Sequence, residues 1–216
     1  SSFQLDIIKY LKLNIACITN ITDDHLDRYE SIDAYIESKL KLFTLSIGPN
    51  ILGINSKYTT NLDLSNINHL KKISDEANIT ETNCKYASII CTYLGIEESE
   101  SISALKTYRN LSHRMEYIGR SNNVQFYNDS KATNIDATIA GLANFTNIFL
   151  LAGGISKSDD YSLLLQYLTQ ITKIYLFGEN KYIIASFLND QIEYEIFENM
   201  EDALHKAQFE CQAQNK

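Results

Sequence analysis

Hydrophobic and polar positions alternate along the chain in two different rhythms. In the first half, the run IACITNI after Asn14 is short, apolar and rich in β-branched residues, the pattern of a buried strand, and it gives way to a polar cluster from Thr22 to Asp27. After the capping candidate Ser31, Ile32, Tyr35, Ile36, Lys39, Leu40 and Phe43 recur at three- and four-residue spacing, which predicts an amphipathic helix to about Leu45. Residues 51–55 predict a second strand. The polar, weakly periodic stretch 56–80 predicts a connection with one short helix near 67–77. Helices are expected at 83–95, ended by Gly95, and at 99–108, begun by Ser99.

Beyond His113 the rhythm becomes regular. Strands 115–119 and 124–128 flank Ser121-Asn122-Asn123, residues that tolerate turn backbones, and so predict a hairpin. Then follow helix 134–144, strand 147–152, helix 160–170, strand 173–177, helix 180–189, strand 192–197 and helix 200–212. Alternation of this kind implies a mostly parallel sheet with right-handed crossovers. The expected fold is α/β in two domains, 1–112 and 113–216. In the second domain ligands belong at loops beyond the carboxyl ends of the strands, here 128–133 and 153–158.

Composition narrows the function. With 216 residues, 44% hydrophobic and 21% charged, the chain has the make-up of a folded soluble protein. A net charge of −8 and a pI near 5.0 argue against a phosphate-backbone binder, since nucleic-acid affinity comes largely from Lys and Arg. Apolar runs such as 148–152 are far shorter than the roughly 20 residues of a membrane-spanning helix. Cys17, Cys84, Cys91 and Cys211 are widely spaced without a CxxC pair, which suits reduced thiols in a cytoplasmic protein. The chain begins at Ser1 rather than Met, and we expect it to be a piece of a longer protein.

Candidate chemistry sits on the loops. Thr22-Asp23-Asp24-His25-Leu26-Asp27-Arg28 sets carboxylates and an imidazole after a buried strand: oxygen ligands of this sort suit Mg²⁺, although composition alone favours a solvated loop. Lys39 lies on the inward stripe of the following helix, where a lysine ordinarily snorkels to solvent. Tyr127 to Asn134 passes from strand to helix. A helix N-terminus attracts anions and Lys131 would add a full charge, while simple capping by Ser130 or Thr133 explains the same residues equally well. Gly153-Gly154 lets the backbone approach a ligand closely, and Lys157 could hold a carboxylate or phosphate. A Walker A loop, GxxxxGK[ST], does not occur anywhere in the chain.

Taken together, SSFQL at 1–5, NITDDHLDRY at 20–29, YxxxKLKLF at 35–43, HRMEYIG at 113–119, NDSKATN at 128–134 and LLAGGISKSDDY at 150–161 resemble the Mur ligase family, and most of all its D-glutamate-adding branch. The resemblance implies the end of a central ATP-binding domain followed by a Rossmann-like C-terminal domain, acting as an ATP-dependent acid to amino-acid ligase of peptidoglycan synthesis. Its substrates would be UDP-N-acetylmuramoyl-L-alanine and D-glutamate, joined through an acyl phosphate with ATP and Mg²⁺, in a cytoplasmic monomer. Residue by residue, it implies that Ser1 and Gln4 face the muramoyl substrate and that His25 and a carbamylated Lys39 hold Mg²⁺. It assigns Asn83 to adenine, Arg114 and Asp129 to the nucleotide, and Lys131, Thr133 and Lys157 to the place where D-glutamate and the transferred phosphate meet. The family's adenine motif HNxxN reads Thr82-Asn83-Cys84-Lys85-Tyr86 here, with its His and second Asn replaced. The chain alone is expected to be inactive. The alternatives are a degenerate ligase copy and a small-molecule binding module without catalysis.

Overall fold

Short apolar runs become parallel strands in both halves of the chain. The computed structural model describes all residues except 24–27, 55–56, 61, 75–78, 110, 156–159 and 215–216. They divide into two units, Ser1–Tyr108 and Arg109–Lys216.

In the first unit the elements are α1 (Ser2–Ile7), β1 (Ala16–Ile18), α2 (Ile32–Thr44), β2 (Asn50–Gly53), α3 (Lys57–Thr60), β3 (Leu70–Ile73), α4 (Ile79–Tyr93) and α5 (Glu98–Thr107). The strands form a parallel sheet in the order β1-β2-β3. Ser31 caps α2, its hydroxyl oxygen accepting the Ala34 N–H at 3.1 Å. That helix packs Tyr35, Ile36 and Phe43 against Ala16, Ile18 and Leu52. On the other sheet face Ile51 and Ile73 meet Tyr86, Ile89 and Ile90 of α4. Strands covered on both faces have no polar side to show, hence the continuous apolar runs. Gly95, at φ +82°, ends α4, and the Ile96 N–H reaches back to the Cys91 carbonyl at 2.9 Å.

Two expectations fail in this unit. The helix expected near 67–77 is replaced by β3, paired in parallel with β2. Lys71 and Lys72 are exposed at its centre, as suits the outer strand of a sheet, and they mask its strand character in the sequence. Helix α5 begins at Glu98 behind Glu97, which makes no side-chain cap, rather than at Ser99.

The second unit comprises β4 (Glu116–Ser121), β5 (Val124–Asn128), α6 (Ile135–Leu142), β6 (Ile148–Gly153), a 3₁₀ segment (Ser162–Gln170), β7 (Ile171–Phe177), α7 (Lys181–Leu188), β8 (Tyr194–Ile196) and α8 (Met200–Gln214). The pair β4-β5 is the expected antiparallel hairpin, with Asn122 at φ +55° in its turn. Strands β6-β7-β8 form a parallel sheet. Ile174 and Leu176 face Leu164, Ile184 and Leu188, whereas Tyr175 between them faces Ala203 and Ala207 of α8. The period of two thus feeds two cores at once.

The stretch expected as an α-helix at 160–170 is 3₁₀. It runs into β7 without an intervening residue. A rise of about 2.0 Å per residue, against 1.5 Å in an α-helix, lets the same residues cover more distance. The cap of α6 is neither Ser130 nor Thr133 but Asn134, whose side-chain oxygen accepts the Ala137 N–H at 2.9 Å. Among the described residues no helix is long and apolar enough to cross a membrane.

Candidate functional site

The hairpin register determines what meets at the end of β5. Glu116 pairs with Asn128, so the residues before β4 and those after β5 leave the hairpin side by side. They are stitched together there. The Met115 N–H donates to Asp129 Oδ1 at 2.9 Å, the Lys131 N–H to the His113 carbonyl at 3.0 Å, and the Asn128 amide nitrogen lies 2.9 Å from His113 Nδ1. Within the turn, the Ser130 N–H donates to Asn128 Oδ1 at 3.0 Å and the Ala132 N–H to the Asp129 carbonyl at 2.8 Å. The His113 N–H is held by Glu116 at 2.7 Å.

Arg114 sits between two left-handed residues, His113 at φ +66° and Met115 at φ +43°. Such backbone costs on the order of 1–3 kcal/mol for a residue with a side chain and persists where surrounding bonds over-determine it. Arg114, Lys131 and Thr133 are exposed, and Asp129 is half-buried. Burial pushes the Asp129 carboxyl up from its ordinary value, outweighing the Met115 N–H and the Arg114 charge, which both pull it down. Gly141 of α6 leaves room for this group: a Cβ there would stand 2.8 Å from Asp129 Oδ2 and 3.0 Å from Met115 Sδ.

The glycines at the end of β6 serve the fold first. A Cβ on Gly153 would lie 2.0 Å from the Phe177 carbonyl of the neighbouring strand, so the close approach of β7 by itself requires a glycine here. Gly154, at φ +134°, faces open space, and its carbonyl accepts the Asn180 N–H at 3.1 Å. Lys157 lies outside the described residues.

In the first unit, Ser1, which precedes α1, and Gln4 within it are both exposed, while Ser2 and Leu5 turn inward. Asp6 ties that helix down. It accepts from Ser38 at 2.6 Å and Tyr29 at 2.8 Å and pairs with Arg28 at 3.7 Å. The Ser38 hydrogen bond foremost, then Tyr29, holds the Asp6 carboxyl below its ordinary value. Ser38 adjoins Lys39, whose ammonium stands 4.8 Å over the Tyr35 ring. His25 lies outside the described residues, as do Asp24 and Asp27. Asp23 accepts the Tyr58 hydroxyl at 2.5 Å.

Among the described residues no three His, Cys, Asp or Glu side chains gather as metal ligands do. An ammonium at Lys39 would repel a cation. The described donors by themselves therefore do not fit a Mg²⁺ ion. Asn83 is exposed on α4. Tyr86, at the replaced second Asn of the adenine motif, is buried, its hydroxyl donating to the Thr19 carbonyl at 3.1 Å. That position now serves the core.

The clamp between residues 113–116 and 128–131 and the Asp6 hub escaped sequence reasoning. The first was within reach, because a hairpin turning at Asn122-Asn123 places His113 near Asn128. The second joins residues 32 positions apart and leaves no local pattern.

A model of the Mur ligase middle domain matches residues 2–153, and one of the Mur ligase glutamate ligase domain matches residues 113–215. The UDP-N-acetylmuramoylalanine--D-glutamate ligase of Francisella philomiragia subsp. philomiragia is 33% identical over 98% of the chain and 55% of its own length. That of Francisella tularensis subsp. novicida is 31% identical over 96% of the chain and 54% of its length. The chain thus spans about half the length of the curated relatives it matches. A crystal structure of MurF from Acinetobacter baumannii superposes with a TM-score of 0.72, covering 93% of this chain and 54% of that one at 15% identity, a likeness of fold.

Proposed function

This chain belongs to the Mur ligase family, and we propose that it forms part of a ligase adding D-glutamate to UDP-N-acetylmuramoyl-L-alanine. The observation that carries this reading is the turn after β5. It presents Asp129, Lys131 and Thr133 in one short segment, stitched to His113 and Met115 on either side of Arg114, within the residues that match the glutamate ligase domain. The names of the relatives at 31–33% identity support the choice of D-glutamate.

The chemistry is activation followed by acyl transfer. A carboxylate is a poor electrophile, so ATP first phosphorylates the alanine carboxylate, and the amine of D-glutamate then attacks the acyl phosphate and expels phosphate. The protein's share is charge neutralisation and positioning. Lys131 meets anionic oxygens at the strand end, Arg114 and Asp129 bind the nucleotide, and Thr133 with Lys157 fixes the incoming amino acid. Ser1 and Gln4 face the muramoyl substrate, and Asn83 lies toward adenine. Lys39 enters as a carbamate, which is the form that, with His25, would give Mg²⁺ the anionic oxygen it prefers. No GxxxxGK[ST] loop lies within the chain, so its 216 residues alone should release no ADP.

The test uses the complete ligase with UDP-N-acetylmuramoyl-L-alanine, ATP and single amino acids. Product one glutamyl residue heavier, formed with D-glutamate and not with L-glutamate or L-lysine, is the expected result. Extension by another amino acid, or ATP hydrolysis without product, would overturn it.

A further inference from the structure

Each left-handed residue flanking Arg114 is engaged by a side chain of a single dipeptide, Met115 at its backbone and His113 at its ring. Asp129 takes the Met115 N–H, and Asn128 engages the ring of His113. The orientation of the Asn128 amide follows from its other bond: Oδ1 accepts from the Ser130 N–H, so the group facing His113 Nδ1 is the NH₂. An NH₂ only donates. His113 Nδ1 must therefore accept, and the ring proton sits on Nε2. Glu116, 3.7 Å from the same nitrogen, already accepts the His113 N–H.

We propose that Asn128 is a positioning residue: its amide shapes the turn that presents Asp129 and Lys131, and it locks the Nε2-protonated tautomer of His113, holding the backbone from which Arg114 projects. Asn128 acts through these groups and contacts no reacting atom. That the turn serves ligand binding rests on the D-glutamate ligase reading, whereas the clamp itself does not.

Asn128→Asp separates the two functions of the amide. One carboxylate oxygen still accepts from Ser130, but the other now faces Nδ1 as an acceptor and draws a proton onto it. Nitrogen-15 spectra of the His113 ring in the 216-residue chain, at about pH 8 where an ordinary imidazole is neutral, should show Nδ1 unprotonated in the native protein. In Asn128→Asp, Nδ1 should be protonated. Asn128→Ala should keep a dispersed spectrum but speed exchange of the Ser130 and Lys131 amides by roughly fivefold to tenfold, the size expected for a lost hydrogen bond.

In the complete ligase, Asn128→Ala should lower kcat/KM for D-glutamate on the order of tenfold to a hundredfold, as small misplacements do. Asn128→Asp should recover part of that loss. A proton on Nδ1 in the native chain, or an unchanged ring in Asn128→Asp, would overturn the clamp. Wild-type kcat/KM in Asn128→Ala would overturn its positioning role. A native ligase that adds no D-glutamate would instead sink the functional reading, leaving the spectra to decide the clamp.

Discussion

Replacing Lys173 by Met would test how the second unit is held together. The Lys173 ammonium, with its side chain 9% exposed, stands 2.8 Å from Glu193, 3.3 Å from Glu195 and 3.0 Å from Glu210, joining β7, β8 and α8. Glu210 also accepts the Tyr175 hydroxyl at 2.7 Å and pairs with Lys206 at 3.0 Å. Removing one partner of a buried ion pair costs about 3–5 kcal/mol. Glu193 and Glu195, 71% and 41% exposed, can return to water, so the main loss falls on Glu210.

Burial pushes the Glu210 carboxyl up, but hydrogen bonds from Tyr175, Lys173 and Lys206 outweigh it and hold the pKa down at about 2. A shift of that size corresponds to about 3 kcal/mol as an upper bound, and water reaching the cluster lowers it. We therefore expect Lys173→Met to destabilise the unit by about 2 kcal/mol, read as roughly thirtyfold faster exchange of the Ile174–Leu176 amides. A depressed carboxyl contributes stability that is complete above its ordinary value near 4.5 and is lost as pH falls through the folded value near 2. The difference between native and variant should accordingly shrink over that window. Exchange changed by less than about threefold, or a difference unaltered at about pH 3, would refute the reasoning.

Gly141→Ala should bring none of the roughly 1 kcal/mol that alanine ordinarily gains over glycine inside a helix, because the new methyl meets the Asp129 carboxylate and Met115 sulfur; a urea midpoint raised by that full amount would contradict the close approach. Asp129→Asn keeps an oxygen for the Met115 N–H and removes the ionisation that burial opposes. Because the folded pKa is raised, the variant should unfold at higher urea at neutral pH, with the gain vanishing below the ordinary carboxylate range, while the complete ligase loses activity. Lys39→Ala in the complete ligase should lose activity that short-chain carboxylic acids partly restore, since they supply the missing oxygen donors; full activity without them would make Lys39 a surface residue of α2.

Elements whose environment is uniform along their length were legible in the sequence. Strands β6 and β7 are packed on both faces, so apolar residues dominate them apart from Thr172 and Lys173, and α2 shows its stripe and its Ser31 cap because those are local demands. The hairpin announced itself through Asn122, which suffers little in the left-handed region. The loops at 128–133 and 153–158 were singled out by the rule for parallel strand ends, but β5 proves to be the second strand of an antiparallel hairpin, so only the loop after β6 follows a parallel strand.

Tertiary structure alone decided the rest. Leu70–Ile73 carries two exposed lysines and becomes a strand only because β2 offers an edge. That Gly153 is required by the close approach of Phe177 is invisible until the two strands are paired. The tautomer of His113, the charge cluster around Lys173 and the Asp6 hub all depend on groups brought together from distant positions. Hydrogen bonds and ion pairs are short-ranged in space but indifferent to separation along the chain, so their partners leave no periodic trace in the sequence.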